Sequence, residues 1–323
     1  MNINCLNKFF WWLYRKSSSS DSFLNEFDSE SKQAINAEVK RVLNREFYEA
    51  VTVEGLQAFV EWYPSIPVLI DVVNNRKHNV AFKYKNASRE ESFEFTNTQT
   101  YEEAVRLLLK GWPTILAELQ DKISTNVYNY NISKKSTLHN SVVGYCPNVP
   151  NALMNLPNSM FFRELDKIEN KTLHIVYCNS VSCNESTENI IKAGSILLSA
   201  IKILELQKIS IRLDLCFFGG IERSGRQCIC CMIKMKDYNE QLDLLKLSFP
   251  LAHPSMLRRI GFSAAETIPG PTIDFPNYGR VMTLEEHSKI LHLHEDIIVL
   301  NVDYVNYNSI DNLIKYLKNG LDK

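Results

Sequence analysis

Residues 171–220 constrain this chain more than any other stretch. A short apolar run, Thr172–Tyr177, meets a polar turn, Cys178-Asn179-Ser180-Val181-Ser182. Apolar residues then recur at helical spacing over Glu188–Leu206, and a second β-forming run, Ile209–Phe218, closes at Gly219-Gly220. Strand, hydroxyl-bearing turn, helix, strand is the opening of an open α/β sheet. Ligands of such sheets bind at the carboxyl ends of the strands, so the Asn179–Ser182 turn is the first place to look for a site.

The downstream pattern continues this theme. Gln227–Met235 reads as a third strand, close enough behind the second for an antiparallel hairpin across Gly219–Gly225. Tyr238–Phe249 reads as an amphipathic helix broken at Pro250, and His253–Phe262 as a further helical piece. Pro269–Gly279 is a Pro/Gly-rich loop. A helix opens at Thr283-Leu284-Glu285-Glu286, Asp296–Val302 is a buried strand, and Ser309–Gly320 is the last helix, with Ser309 as N-cap. The expected fold class is α/β: a C-terminal open, mostly parallel sheet with helices on both faces, preceded by a smaller α+β N-terminal region.

That N-terminal region is less regular. Glu30–Val53 has helical periodicity through Ile35, Val39, Val42 and Leu43, continued by Phe47 and Val51. Leu56–Tyr63 reads as a short helix stopped by Pro64 and Pro67. Val68–Val73 and Val80–Lys85 read as short strands, with Phe93–Phe95 as a third. Thr100 and Glu103 form a capping box for a helix that breaks at Gly111-Trp112-Pro113 and resumes through Leu119 and Ile123. Three prolines between Pro147 and Pro157 exclude a regular element from Gly144–Met160, which is expected to clamp the following domain. The expected divisions are 1–21, an aromatic segment with a Ser-rich linker; 22–140, the α+β region; 141–170, the proline-rich clamp; and 171–323, the α/β domain.

A chain of 323 residues is long enough for two domains. Its net charge of −1 exerts no general pull on polyanions, so nucleic-acid binding would need a local basic patch. Eight cysteines without framework spacing are expected to be reduced thiols in an intracellular protein. No run of about 18 apolar residues predicts a membrane span. Phe9-Phe10-Trp11-Trp12-Leu13-Tyr14 is a packing or docking segment, or an interfacial anchor.

Several clusters qualify as sites. Asn179, with Arg258 and Arg259, is a candidate for binding an anion or a partner, because guanidinium groups suit bidentate anion recognition. Arg223, Arg226 and Arg280 could extend that basic surface, with an ordinary solvated face as the default reading. Cys228-x-x-Cys231 has zinc-like spacing, but residues three apart on a strand face opposite sides, and buried cysteines more commonly pack as small hydrophobes. His292-x-His294-Glu295-Asp296 reads either as a metal group or as a polar turn. His253, before a proline, reads as a cap. Phosphate-loop, dinucleotide, nucleophile-elbow and zincin motifs are absent.

The element order from residue 171 resembles a von Willebrand factor A-like domain. That family's Asp-x-Ser-x-Ser metal motif falls on Cys178-Asn179-Ser180-Val181-Ser182. The resemblance implies a Mg²⁺ site at Ser180, Ser182 and Asp303, degenerate because Cys178 replaces the carboxylate that a hard cation prefers. A second resemblance rests on Glu102-Glu103-Ala104, Gly111-Trp112-Pro113, Gly144-Tyr145-x-Pro147-Asn148-Val149-Pro150, Pro157-x-Ser159-Met160 and His253-Pro254-x-x-Leu257-Arg258-Arg259-x-Gly261-Phe262. Together these are similar to an uncharacterised bacteriophage protein family. That resemblance implies a phage product of the virion or host cytoplasm, without a resident cofactor, whose partner is a phage or host protein. An enzyme or metal-dependent binder using the serine rim, and a nucleic-acid-associated protein, are the alternatives.

Overall fold

The computed structural model describes residues 28–76, 93, 96–130, 137–144, 146–164, 171–221, 226–271, 280–291 and 297–322. The N-terminal aromatic run, the Ser-rich linker, Val80–Lys85, Glu94 and Phe95, Arg223, most of Pro269–Gly279 and the His292–Asp296 segment lie outside them.

The expected βαβ unit forms as β6 (Thr172–Cys178), α6 (Thr187–Leu206) and β7 (Ser210–Gly220). Ser186 caps α6 by accepting the Asn189 amide at 3.2 Å. Strand β7 returns as an antiparallel hairpin into β8 (Gln227–Lys236), and β9 (Ile297–Asn301) lies parallel on the other side of β6. Two earlier strands complete this sheet, β1 (Tyr48–Val53) and β2 (Leu56–Tyr63). The order is β1-β2-β8-β7-β6-β9, with β2 parallel to β8 and antiparallel to β1. Three of the five strand pairs are parallel, which makes this a mixed α/β sheet.

One sheet face carries nearly all the helices. These are α1 (Ser29–Leu43), α2 (Ile66–Asn75), α3 (Tyr101–Lys110), α4 (Pro113–Asn129), α7 (Leu244–Ala252), α8 (Phe262–Ala265), α10 (Val302–Tyr307) and α11 (Ile310–Asn319), with α6 at the centre. Leu197, Leu198, Ile201 and Leu204 of α6 are fully buried. Each such side chain contributes about 1.5–3 kcal/mol through removal from water. The opposite face is covered by α9 (Leu284–Leu291) through Ile290 and Leu291. A separate three-stranded sheet has the order β3 (Thr137–Ser141), β5 (Met160–Glu164), β4 (Cys146–Pro147), and the short helix α5 (Val149–Leu153) lies between β4 and β5 in the chain.

Several local expectations are corrected. Leu56–Tyr63 is a strand, buried on both faces between β1 and β8, and Val68–Val73 is a helix. Continuous apolar runs do not distinguish a two-sided strand from a buried helix, and here Ser65 at the N-cap and Pro67 in the first turn favour the helix. The helix predicted through Val53 stops at Leu43; Arg45 has φ +64° and the chain turns into β1. Pro250 lies inside α7, which starts only at Leu244 and runs on to Ala252. The proline-rich clamp contains β4, α5 and the start of β5 rather than irregular chain. The predicted capping box at Thr100 is present, and the helix start read at Thr283 has one as well. Thr100 accepts from Glu103 N–H, and Glu103 answers on Gln99 N–H. Thr283 and Glu286 exchange backbone bonds at the start of α9.

Candidate functional site

The βαβ unit delivers the Asn179–Ser182 turn to the carboxyl rim of the sheet, and β9 brings Asp303 to the same rim in the first turn of α10. Asn179 and Ser180 are buried, whereas Ser182 is exposed. Ser182 Oγ accepts the Asn184 amide at 3.3 Å. Burial, with Glu185 nearby, raises the Asp303 carboxyl above its ordinary range. The Arg258 guanidinium donates to the carbonyls of Ser182, Cys183 and Glu185 at 3.1–3.4 Å, fixing the loop and placing a cation beneath it. Among the described residues no three His, Cys, Asp or Glu side chains converge as metal ligands. With Cys178 in the carboxylate position and Arg258 under the turn, the rim suits Mg²⁺ poorly.

The arginine pair is not the anion-binding surface expected from sequence. A six-residue π-helical turn, Met256–Gly261, carries both guanidiniums inward. Arg259 is 0% exposed and donates to Thr98 Oγ1, Thr98 O and Gln99 O at 2.8–2.9 Å. Ser255, just before this turn, donates to Thr96 O and hydrogen-bonds Thr98 Oγ1. The Arg259 guanidinium thus satisfies the carbonyls of Thr98 and Gln99, and the Ser255 hydroxyl that of Thr96, in a segment that helices and strands leave without a ladder. Asn179 Nδ2 donates to Pro250 O at 3.4 Å.

The strand period places Cys178, Cys216, Cys228 and Cys230 on the sheet face under α9, all fully buried. Cys216 Sγ lies 3.4 Å from Cys230 Sγ, and Cys178 Sγ lies 3.7 Å from His287 Nε2 on α9. Burial pushes the Cys178 thiol up, but the hydrogen bond from Cys216, the charge and hydrogen bond of His287 and the Ser180 amide together hold it well below its ordinary value. Burial lowers His287, and the charge and hydrogen bond of Cys178 with Glu286 raise it above its usual range. Cys231 points to the other face, so the Cys228-x-x-Cys231 spacing brings no ligands together.

A second cluster on the α9 face escaped the sequence reading. His174 Nε2 lies 2.9 Å from Asp214 Oδ2, and both residues are buried. Arg212 holds the same carboxylate through Nη2 at 2.9 Å and Nε at 3.3 Å. These groups border a cavity of about 190 Å³ completed by Trp62, Met232, Leu291 and Ile297. The available signal was positional: His174 on one apolar strand, and Arg212-x-Asp214 on its neighbour, share a face once the strands are paired in register.

The lobe at 137–164 presents the opposite chemistry. Val142, Val143, Val149, Leu153, Met154, Leu156 and Phe162 are all exposed, Leu153 by 80% and Val143 by 73%. No Asp, Glu, Lys or Arg occurs from Thr137 through Phe162. Exposed apolar side chains in a stretch depleted of charge match the composition of the centre of a protein–protein interface.

No helix among the described residues is long and apolar enough to cross a membrane. No curated protein and no solved structure matches the chain. The model of a domain of unknown function, DUF7192, matches residues 36–320, a span that takes in every strand of both sheets, the serine rim, the buried cysteine face and the apolar lobe. The chain therefore belongs to the DUF7192 family.

Proposed function

We propose that this protein is a phage-encoded, non-enzymatic interaction protein, virion-associated or accessory, whose partner docks on the stretch from Thr137 to Phe162 of the small lobe. The observation that carries this reading is the charge-free apolar exposure there. Exposed valine, leucine and phenylalanine side chains cost solubility unless they are covered, and each one buried contributes about 1.5–3 kcal/mol to association. The absence of lysine, arginine and carboxylates selects a partner whose contacting surface is likewise uncharged, because any charge on it would be desolvated without compensation. The occupant is therefore a phage or host protein presenting apolar or aromatic side chains. The phage assignment and a location in the virion or host cytoplasm rest on the motif series around Gly111-Trp112-Pro113, Gly144–Pro150 and Pro157–Met160. The von Willebrand A-like reading draws support from the β6-α6-β7 unit and from Ser180, Ser182 and Asp303 sharing one rim.

A photo-crosslinking residue at position 153 tests this reading in phage-producing cells. The expected result is one discrete adduct, identified by mass spectrometry, that disappears when Val143→Asp and Phe162→Asp are added. A crosslinker at Tyr307, 87% exposed on α10, gives the background. Labelling at 153 no stronger than at 307, or adducts only with a second copy of this chain, would overturn the proposal.

A further inference from the structure

We infer that Cys178 is an oxidation site: a hydroperoxide oxidises its sulfur, and Cys216 on the neighbouring strand closes it into an inter-strand disulfide beside His287. The site lies in the six-stranded sheet and does not depend on the docking stretch, which belongs to the other sheet. Three sulfurs and an imidazole meet on the face under α9. Cys178 Sγ lies 3.7 Å from His287 Nε2, Cys216 hydrogen-bonds the Cys178 sulfur, and Cys216 Sγ lies 3.4 Å from Cys230 Sγ. Register decides which pair can bond. Cys178 stands directly opposite Cys216 on β7, and neighbouring strands run about 4.8 Å apart. That spacing falls within the roughly 4.4–6.8 Å between Cα atoms that a disulfide spans. Cys230 is instead paired with Phe218, and Cys216 with Met232, so Cys216 and Cys230 are diagonal neighbours. Diagonal residues stand about 7–8 Å apart, beyond that reach, and the contact of these two sulfurs is packing.

The surroundings of each sulfur single out Cys178 as the nucleophile. The thiolate is the reactive form, and a cationic neighbour favours it. Against the upward push of burial, the hydrogen bond from Cys216 and the charge of His287 hold Cys178 well below its ordinary range. Against the downward push of burial, the Cys178 charge raises His287. Burial pushes Cys216, Cys228 and Cys230 up. The arrangement favoured is a thiolate on Cys178 and an imidazolium on His287. The Cys178 sulfur attacks one peroxide oxygen; an S–O bond forms, the O–O bond breaks, and the departing oxygen takes the His287 proton. The Cys216 sulfur then attacks the Cys178 sulfenic sulfur, and its hydrogen leaves with the hydroxyl as water. Each sulfur loses one electron, and the peroxide takes both. Access comes through α9, which spans eight residues and covers this face through Ile290 and Leu291. A helix that short is held by packing alone, and its local opening costs less than global unfolding. The disulfide draws the Cys178 sulfur from His287, so α9 loses a tie to the sheet.

The test uses the full chain carrying Cys5→Ser, Cys146→Ser and Cys183→Ser, which removes the exposed thiols and the one outside the described residues. Hydrogen peroxide is added to the folded protein, remaining thiols are alkylated in denaturant, and the products are read by mass spectrometry. Trypsin puts Cys178, Cys216 and the Cys228–Cys231 group on three different peptides, so each linkage has its own mass. The expected product is a Cys178–Cys216 link, reversed by dithiothreitol and still formed in Cys230→Ser. Cys216→Ser should instead gain oxygen at Cys178. The titratable groups facing Cys178 are Cys216 and Cys230 from β7 and β8 and His287 from α9, with Glu286 beside the imidazole. With the thiolate preformed, the rate should be nearly flat from about pH 6.5 to about pH 8. His287→Gln should be at least tenfold slower at neutral pH, and its rate should climb about tenfold per pH unit, as for a thiol of ordinary pKa about 8.5. A Cys216–Cys230 link in place of the expected one, a Cys178 thiol that survives peroxide, or the same rate and pH profile in His287→Gln would each overturn the inference.

Discussion

His253 shows how one side chain couples packing to protonation. Its Nδ1 accepts the Ser255 amide at 3.0 Å, which is the capping role expected from its place before Pro254. Its ring stacks on Phe249 at 4.6 Å and meets the edge of Trp112 at 4.5 Å. Burial lowers its pKa from the ordinary value to about 3. Between that value and the unfolded value of about 6.5, the unfolded chain takes up a proton that the folded chain refuses. This contribution is complete above pH 6.5 and is lost as pH falls toward 3, by about 1.4 kcal/mol per pH unit. Urea unfolding at pH 7, 5.5 and 4.5 should therefore show a shallower pH dependence for His253→Asn than for the native chain, by close to one proton. Equal slopes would show that His253 does not govern acid sensitivity. Arg258 and Arg259 teach the complementary lesson. Their residue types suggested a surface for anions, but they donate to the carbonyls of Thr98, Gln99, Ser182, Cys183 and Glu185, an outcome set by distant segments and invisible locally.

Among the elements, the junction of α3 and α4 follows directly from its residues. Gly111 has φ +79° and ψ 177°, a region open essentially to glycine, and Pro113 opens α4, where its missing N–H costs nothing. The Trp112 amide is taken by Ser248 Oγ at 2.9 Å, which joins the break to α7. A Cβ at position 111 would also collide with the Leu245 carbonyl and side chain. Gly111→Ala should cost about 2–4 kcal/mol, the sum of backbone strain and local overpacking. Thermal and urea melts read this cost directly, and a variant as stable as the native chain would mean that the junction relaxes freely. The exchange of identities between Leu56–Tyr63 and Val68–Val73 is the opposite case. Both are short apolar runs, and their conformations were decided by what surrounds them: β8 on one side of the first, and a cap plus an early proline for the second.

For the whole molecule, the main consequence is that the sheet crosses the boundary expected at 141–170. Strand β2 pairs in register with β8 from Gln57↔Gln227 to Tyr63↔Ile233, and helices from both regions share one core. Lys236, buried on β8, is held by Glu205 at 2.9 Å and by the Ile211 carbonyl at 2.7 Å, so the hairpin is in turn tied to α6 and β7. Residues before 141 therefore gain their stability from residues after 171. In a Trp11→Phe/Trp12→Phe background, urea transitions followed by tryptophan fluorescence, which then samples Trp62 and Trp112, should coincide with those followed by far-UV circular dichroism. A separate early fluorescence transition would show that the N-terminal elements unfold independently.

The sequence by itself determined the βαβ unit, the β7–β8 hairpin, the helix caps at Ser309, Thr100 and Thr283, and the break at Gly111, because each depends on period and on hydrogen bonds within a few residues. Tertiary structure alone decided that β1 and β2 join the sheet, that the arginine pair turns inward, that His174 meets Asp214 and that the lobe's apolar side chains remain exposed. Those outcomes require contacts between residues dozens to hundreds of positions apart, and local propensity carries no information about which distant surface will arrive to bury or pair a side chain.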